Sequence, residues 1–389
     1  MNRASQRIRC FQFRATECRR RRLLAWVVGS VLVAMLTTHG GAGSPRESCA
    51  DDTAVSPGRR LRIACFNAEN LAVPGERTNL TRFRFEPARR RHLEHIAAVI
   101  ETLDPDIMVV SEIVSRAGVD AVVALLHEKG LADFRGYHVD GRDAFSGFDV
   151  AVIARIEPDA IDGGRIHIHA PQKKPRGKPT EADAVAGQDW RRRAYSFVDA
   201  DGTTKHDEAI LQRHAAAYFT VGGRRLGLLG LHLKSNPSDP GSNAQRTAET
   251  AIAREIIRRE IVGRGYTPIV LGDLNDYDPD VPMADGRRRT QTTVLRDLKD
   301  FDPDSPGAEL VNVAQFMPRV ADRFTSHWDF NENGAPDGDD VFTMIDHVLL
   351  HRDLEPAVIR AFIDHAVGLD VSDHFPVVVD LDLARLHAE

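Results

Sequence analysis

TPIVLGDLN, residues 267–275, decides how the rest of the chain is read. Its apolar centre, Ile269-Val270-Leu271, has the look of a buried strand. It ends on Gly272 and then on two side chains that such a strand does not need, Asp273 and Asn275. Residues two apart on a strand face the same side, so the spacing aims both at one place. Immediately before it, AQRTAETAIAREIIRREIVGRG (244–265) has the apolar periodicity of an amphipathic helix. A helix feeding a buried strand is the repeating unit of an α/β protein.

Working outward, the unit recurs. LRIACFN (61–67), DIMVVSE (106–112), FDVAVIAR (148–155), AAAYFTV (215–221), RLGLLGLHL (225–233) and FPVVVDLDL (375–383) read as strands, with further strands near 322–328 and 341–350. Helices are expected over 87–103, 119–130 and 290–300, with Asp104-Pro105 and Gly130 as stops. Residues 156–208, rich in polar, Pro and Gly residues, read as an inserted hairpin or loop. No internal repeat and no boundary divides 61–385, so one α/β domain is expected there.

Several strands end in polar groups. Asn67 closes the first and Glu112 the second, His232 interrupts LHLKS, Asp346 opens IDHVLL, and Asp373-His374 precede FPVVV. One carboxylate after a strand is ordinarily a turn former or helix cap. Several converging at strand ends of an α/β scaffold mark where ligands bind. His347 must face away from Asp346 and is read as a core residue, while His351, His365, His167 and His169 are expected in solvent.

FNAEN, MVVSEI, LHLKS, VLGDLND, MIDHVLL and SDHFPVV, in that order, resemble the endonuclease/exonuclease/phosphatase superfamily of metal-dependent phosphodiesterases. The resemblance implies a four-layer α/β sandwich, two mixed sheets packed face to face with helices outside. It also implies hydrolysis of phosphoric esters with Mg²⁺ or Mn²⁺. By that resemblance Glu112, Asn67 and Asp373 are metal-side residues, Asp273 orients or deprotonates the attacking water, and Asn275 fixes that Asp or the phosphate. Asp346 and His374 form a carboxylate–imidazole pair at the phosphate, His232 is a second histidine there, and Arg213 in LQRHAAAYF is a phosphate-binding arginine. These residue types suit the chemistry, which needs a placed water, neutralised phosphate charge and a stabilised leaving oxygen.

WDFNENGAPDGDDVF places Asp329, Asn331, Asn333, Gly334, Asp337 and Asp340 at positions 1, 3, 5, 6, 9 and 12 of an EF-hand-like loop, with Asp where Glu usually closes it. Strands rather than helices flank it, and a structural Ca²⁺ is expected at 329–340; an acidic turn is the alternative.

Composition narrows the partners. With 42% hydrophobic and 28% charged residues, the 389-residue chain is neither a coiled coil, a disordered tail nor a multi-span membrane protein. Arg19–Arg22 and the apolar run Leu23–Thr38 read as a signal peptide or signal-anchor over 1–43, with a linker over 44–60. The expectation is a secreted or otherwise extracytoplasmic protein, membrane-tethered if the leader is kept. Beyond residue 43 the chain carries 43 basic and 56 acidic side chains, so a polyanion must be met by local patches or a bound metal. The basic residues within 173–193 and Arg287–Arg289 are such patches. A nucleic-acid substrate is expected, with a phospholipid headgroup as the alternative; no protein partner is implied and a monomer is expected. Of the four cysteines, Cys65 reads as a small core residue.

Overall fold

In the computed structural model, residues 60–76, 86–171, 189–331, 333–334 and 337–387 are described. The expected leader, most of the linker and Lys173–Lys178 of the basic insertion lie outside the described residues. Sixteen strands are present among them: β1 (Arg60–Leu71), β2 (Ile107–Ile113), β3 (Arg135–His138), β4 (Asp149–Ala154), β5 (Ile166–His167), β6 (Arg193–Val198), β7 (Thr204–Ala209), β8 (His214–Val221), β9 (Arg224–His232), β10 (Thr267–Asp273), β11 (Leu310–Asn312), β12 (Ser326–Trp328), β13 (Val341–Thr343), β14 (Asp346–His351), β15 (Val358–Ile363) and β16 (Val377–Asp382). The helices are α1 (Glu86–Leu103), α2 (Arg116–Glu128), α3 (Pro240–Ile256) and α4 (Val294–Lys299). None of the described helices is long and apolar enough to cross a membrane.

Two six-stranded sheets form the frame, ordered β15-β16-β1-β2-β4-β3 and β11-β14-β10-β9-β8-β5. Both are mixed: β1 runs parallel to β2 and antiparallel to β16, and β10 runs parallel to β9 and antiparallel to β14. Their inner faces share one apolar core, in which Ile63, Cys65 and Val377 of the first sheet join Leu228, Leu271 and Val348 of the second. The sheets approach so closely at Gly230 that a Cβ there would lie 2.6 Å from Val109 Cγ1. Helices α1 and α2 bury Leu93, Ile96, Val119 and Val122 into the same apolar cluster. Helix α3 covers the outer face of the second sheet through Ile252, Ala253 and Ile256 against Leu229, Leu231 and Val270. The layering is the expected four-layer α/β sandwich.

Helix α3 shows why these residues form this element. Asp239 caps it by accepting from the Ser242 N–H, and Pro240 occupies the first turn, where a missing N–H costs nothing. Past Ile256 the coil loosens into a π turn (Ile257–Ile261) and a 3-10 turn (Val262–Arg264), and Gly265 at φ 74° stops it. The sequence-derived elements need correction in several places. The helix expected over 290–300 holds only as Val294–Lys299. The strand expected near 322–328 starts only at Ser326, after a 3-10 turn at Val320–Asp322. The strand expected over 341–350 is two strands in different sheets, split where the Ile345 and Asp346 N–H groups both donate to Thr325 Oγ1. The inserted segment contains β5 and a β6–β7 hairpin turning at Asp199–Gly202. Strands β3, β11 and β15 had no clear sequence signal, being short or half-exposed edge strands.

Candidate active site

The inner-face alternation that builds the core also builds the site. Reading along the strands, Ile63-Cys65 leads to Asn67, Leu228-Gly230 to His232, and Leu271 to Asp273, while Asp346 starts the series Val348-Leu350. Each polar residue closes the inter-sheet core at the same end. Asp273 lies opposite His232 on one side and Asp346 on the other, so three functional groups sit on one line across three strands.

Glu112 gets there differently. Val109 faces Gly230 across the core, so strict alternation would aim Glu112 outward. A bulge between Ser111 and Ile113, with Glu112 at φ 60°, turns it inward instead. Asn67 Nδ2 then donates to Glu112 Oε1 (3.2 Å) and to Asp273 Oδ2 (3.1 Å), tying the two sheets together. Asn67 Oδ1 accepts from the Glu69 N–H (3.0 Å), which leaves it one lone pair. Asn275 also corrects the simple spacing argument. The strand ends at Asp273, and Asn275 sits beyond it at φ 51°, its N–H donating to Asp273 Oδ1 (3.0 Å) and its Nδ2 to the Leu233 carbonyl (3.2 Å). A turn, not strand pleating, brings it to the site. Glu69, Asn70, Glu112 and Asn275 all hold left-handed backbone conformations that side chains seldom adopt, a concentration of strain typical of functional sites. Gly272 makes the turn-in possible: at φ 129°, any Cβ would overlap the Leu231 carbonyl oxygen.

The electrostatics separate two histidines. His374 Nδ1 is 2.8 Å from Asp346 Oδ2. Burial pulls the His374 imidazole down, but the charge and hydrogen bond of Asp346, with Asp373 and Asp273 behind, hold it well above its ordinary range. His232 Nε2 lies 3.7 Å from Asp273 Oδ2 and 4.0 Å from Glu112 Oε1. Burial, then the positive charge of Arg213, His374 and Lys234, drives its pKa well below the usual value. The two imidazoles are pushed in opposite directions, the kind of division that sets acid and base roles by environment. Asp273 is pushed up to about 7 by burial and by the charge of Asp346, against the pull of His374. Burial raises Glu112 as well.

The raised Asp273 and Glu112 carboxyls, with the buried Asp346 Oδ1 that has no hydrogen-bond partner among the described residues, crowd more acidic oxygen here than the one His374 beside Asp346 can answer, and a divalent cation fits it. Ligand-capable atoms of Asp273, Asp346 and His374 all lie within 4.8 Å of one another. Asp373 stands at the rim, its side chain 39% exposed, with its N–H donating to Glu69 Oε2 and its Oδ1 3.8 Å from His374 Nε2.

A cleft of about 370 Å³ opens from this cluster. Glu112, His232, Asp273, Asn275 and His374 line one part of it; Arg213, Lys234, Gln245 and Glu249 line another. Arg213 Nη2 donates to the Leu233 carbonyl (3.0 Å) and its Nη1 lies 3.9 Å from Asp143 Oδ2. Sequence reasoning missed Glu69, Lys234, Gln245 and Glu249. Glu69 had a signal, two residues after Asn67, and so did Glu249, a charge on the apolar face of an amphipathic helix.

Other residues behave as the strand pattern required or depart from it. His347 faces away from the site and is buried, bonded to Asn312 and to the Asp276 carbonyl. His351, His365 and the pair His167/His169 are not solvated; the His351 side chain is 13% exposed and accepts from the Asp353 N–H. His365 stacks on Phe324 with ring centres 3.8 Å apart, and His167 and His169 lie half-buried beside Tyr218 and His214. Cys65 is a buried free thiol, as a small core residue would be.

Comparison with known proteins accords with this geometry. The sequence matches the model of the Endonuclease/Exonuclease/phosphatase family over residues 65–374. A search of curated proteins found no match. Among solved structures, an AP endonuclease from Archaeoglobus fulgidus has a TM-score of 0.50 at 15% identity, covering 83% of this chain and 99% of that one. Truncated Caenorhabditis elegans TDP2 has a TM-score of 0.48 at 14% identity over 83% and 98% of the two chains. The 3′ phosphatase NExo from Neisseria, bound to a product DNA hairpin, has 0.48 at 16% over 83% and 99%. At such identities the likeness concerns the fold, whereas the family match spans most of the chain. The chain thus belongs to the Endonuclease/Exonuclease/phosphatase family and is a metal-dependent phosphoric ester hydrolase.

Proposed function

We propose that this protein is an exported nuclease that hydrolyses DNA or RNA phosphodiester bonds. One observation carries the choice of substrate: the cleft that leaves the carboxylate–imidazole cluster sets Arg213 and Lys234 among its walls, beside Asp143 and Glu249, on a body whose net charge is otherwise negative. Export rests on the basic and apolar leader, Arg19–Thr38.

In this reading Asp273 orients the attacking water and takes its proton, held by the Asn275 N–H and the Asn67 amide. His374, kept cationic by Asp346, donates toward the phosphate, and neutral His232 assists on the same side. Arg213 binds the phosphate. A divalent cation, Mg²⁺ or Mn²⁺, would be held by Glu112 with Asn67 and Asp373, and supplies neutralisation of the phosphate charge.

A structural Ca²⁺ at 329–340 belongs to the same proposal. Supporting it, β12 and β13 flank the loop, Gly334 takes φ 75°, and the Asp329 carboxylate accepts from the Asn333 and Gly334 N–H groups. Asp340 Oδ2 is held by His327 (2.6 Å), so at most its Oδ1 faces an ion. This lowers the expected affinity below that of a bidentate closing Glu.

The lipid alternative has one observation in its favour. Trp328 and Phe330, 61% and 65% exposed, stack edge to face on the β12–β13 hairpin, and Ser326 of that hairpin bridges to His374. The pair is embedded among Asp329, Asp337, Asp339 and Asp340, which an anionic membrane surface repels. Incubating purified residues 44–389 with DNA, RNA, sphingomyelin and phosphoinositides, each with Mg²⁺ or chelator, tests both. Metal-dependent cleavage of a nucleic acid is expected; hydrolysis confined to a lipid would replace this reading.

A further inference from the structure

Two costly burials converge on the backbone of a single residue, Lys234, one on its N–H and one on its carbonyl. Arg246 is fully buried and Glu249 nearly so, both on α3. Glu249 Oε2 accepts from the Lys234 N–H (2.8 Å), and Arg246 Nη1 donates to the Lys234 carbonyl (2.7 Å). Each clamp is itself held. Gln245 Nε2 donates to Glu249 Oε1 (2.9 Å), while Arg246 Nη2 reaches Asn243 Oδ1 (2.6 Å) and its Nε reaches Asp276 Oδ2 (3.3 Å). Removing a guanidinium and a carboxylate from water costs several kcal/mol per ion unless they are well paired. The backbone groups of a residue just past a strand end need no such support for their own sake, since water would satisfy them.

The side chain that this clamp presents is left uncommitted. Lys234 is half-buried, lines the cleft with His232, Asp273 and His374, and forms no ion pair or side-chain hydrogen bond among the described residues. Its positive charge is felt at both His232 and Glu249. In the reading above the scissile phosphate is met by His374, His232 and Arg213. Lys234 lies two residues further out, up to about 7 Å along the chain from His232.

We propose that Lys234 binds the phosphate flanking the scissile one, with Glu249 and Arg246 as its positioning residues. This rests on the nucleic-acid reading above and adds a requirement to it, a substrate with at least two adjacent phosphates.

Calorimetry tests it with a phosphorothioate-linked thymidine dinucleotide, with or without a terminal phosphate at its 5′ or 3′ end. In the wild type one phosphorylated form binds about tenfold tighter than the unphosphorylated one, as one charge-assisted hydrogen bond gives. In Lys234→Gln that ratio falls to within about twofold, and Lys234→Arg keeps it, whereas a merely structural role would weaken all forms alike. An unchanged ratio in Lys234→Gln overturns the assignment of Lys234. Absence of binding by every form to the wild type overturns the nucleic-acid reading and this inference with it; that failure shows in the wild type, not in the variant.

Discussion

Replacing Asp346 by Asn separates charge from shape at the centre of the site. Asp346 Oδ2 and His374 Nδ1 are 2.8 Å apart, with side chains only 1% and 10% exposed. Burial alone favours a neutral imidazole, so the proton on His374 is kept by the carboxylate. At an effective dielectric of about 20, unit charges at that separation attract by about 6 kcal/mol, enough to outweigh the burial that opposes the charge. Asp373 and Asp273, at 3.8 and 4.0 Å from His374 Nε2, retain part of that attraction. A clear fall in the His374 pKa, in the direction burial favours, is therefore expected for Asp346→Asn. The wild-type imidazolium persists through neutral pH, while the variant gives up its proton as pH rises through a lower value. Side-chain NMR of the metal-free protein, with His374 assigned by its Gln replacement, follows the titration, and the same spectra report folding. Turnover at neutral pH should fall by at least about a hundredfold as the acid is lost. An imidazole that titrates at the same pH in both folded proteins would refute the pairing argument.

Asp273→Asn should leave the fold intact and cut turnover by several orders of magnitude, measured on the substrate found by the panel above, because the group that orients and deprotonates water is gone. Glu112→Gln should raise the Mg²⁺ concentration for half-maximal activity by about tenfold in a metal titration, since a charged oxygen ligand is lost. Asp380, whose side chain is buried, accepts from the partly exposed Arg62 and Arg60, and losing these charge-assisted bonds in Asp380→Asn should cost about 2 kcal/mol in a urea melt at neutral pH. Burial raises the Asp380 carboxyl, but the two arginines win and depress it. Its contribution is thus present above the ordinary Asp value and fades as pH falls through the depressed one, where variant and wild type should converge. Millimolar Ca²⁺ should raise the wild-type Tm by a few degrees and leave that of Asp329→Ala unmoved in calorimetry.

Local chemistry already written in the sequence determined the central core strands, their order of appearance and the polar residues at their ends. An apolar period of two stopped by Asn67, His232 or Asp273 has only one place to put that side chain, the open end of the core its own strand builds. Gly272 was legible for the same reason, because a Gly at the end of a buried strand signals a close approach of backbone. What pattern could not supply was anything set by contact between distant segments. Glu112 reaches the site through a bulge against the period of its strand, and Asn275 through a left-handed turn rather than the pleat. The opposite protonation of His374 and His232 depends on which charges packing places beside each ring. The clamp on Lys234 joins α3 to the end of β9, segments whose sequences read as an ordinary amphipathic helix and an ordinary strand. Periodicity reports which face of an element is buried; which partner meets it there is decided by the folded chain, because burial makes a charge expensive until another segment answers it.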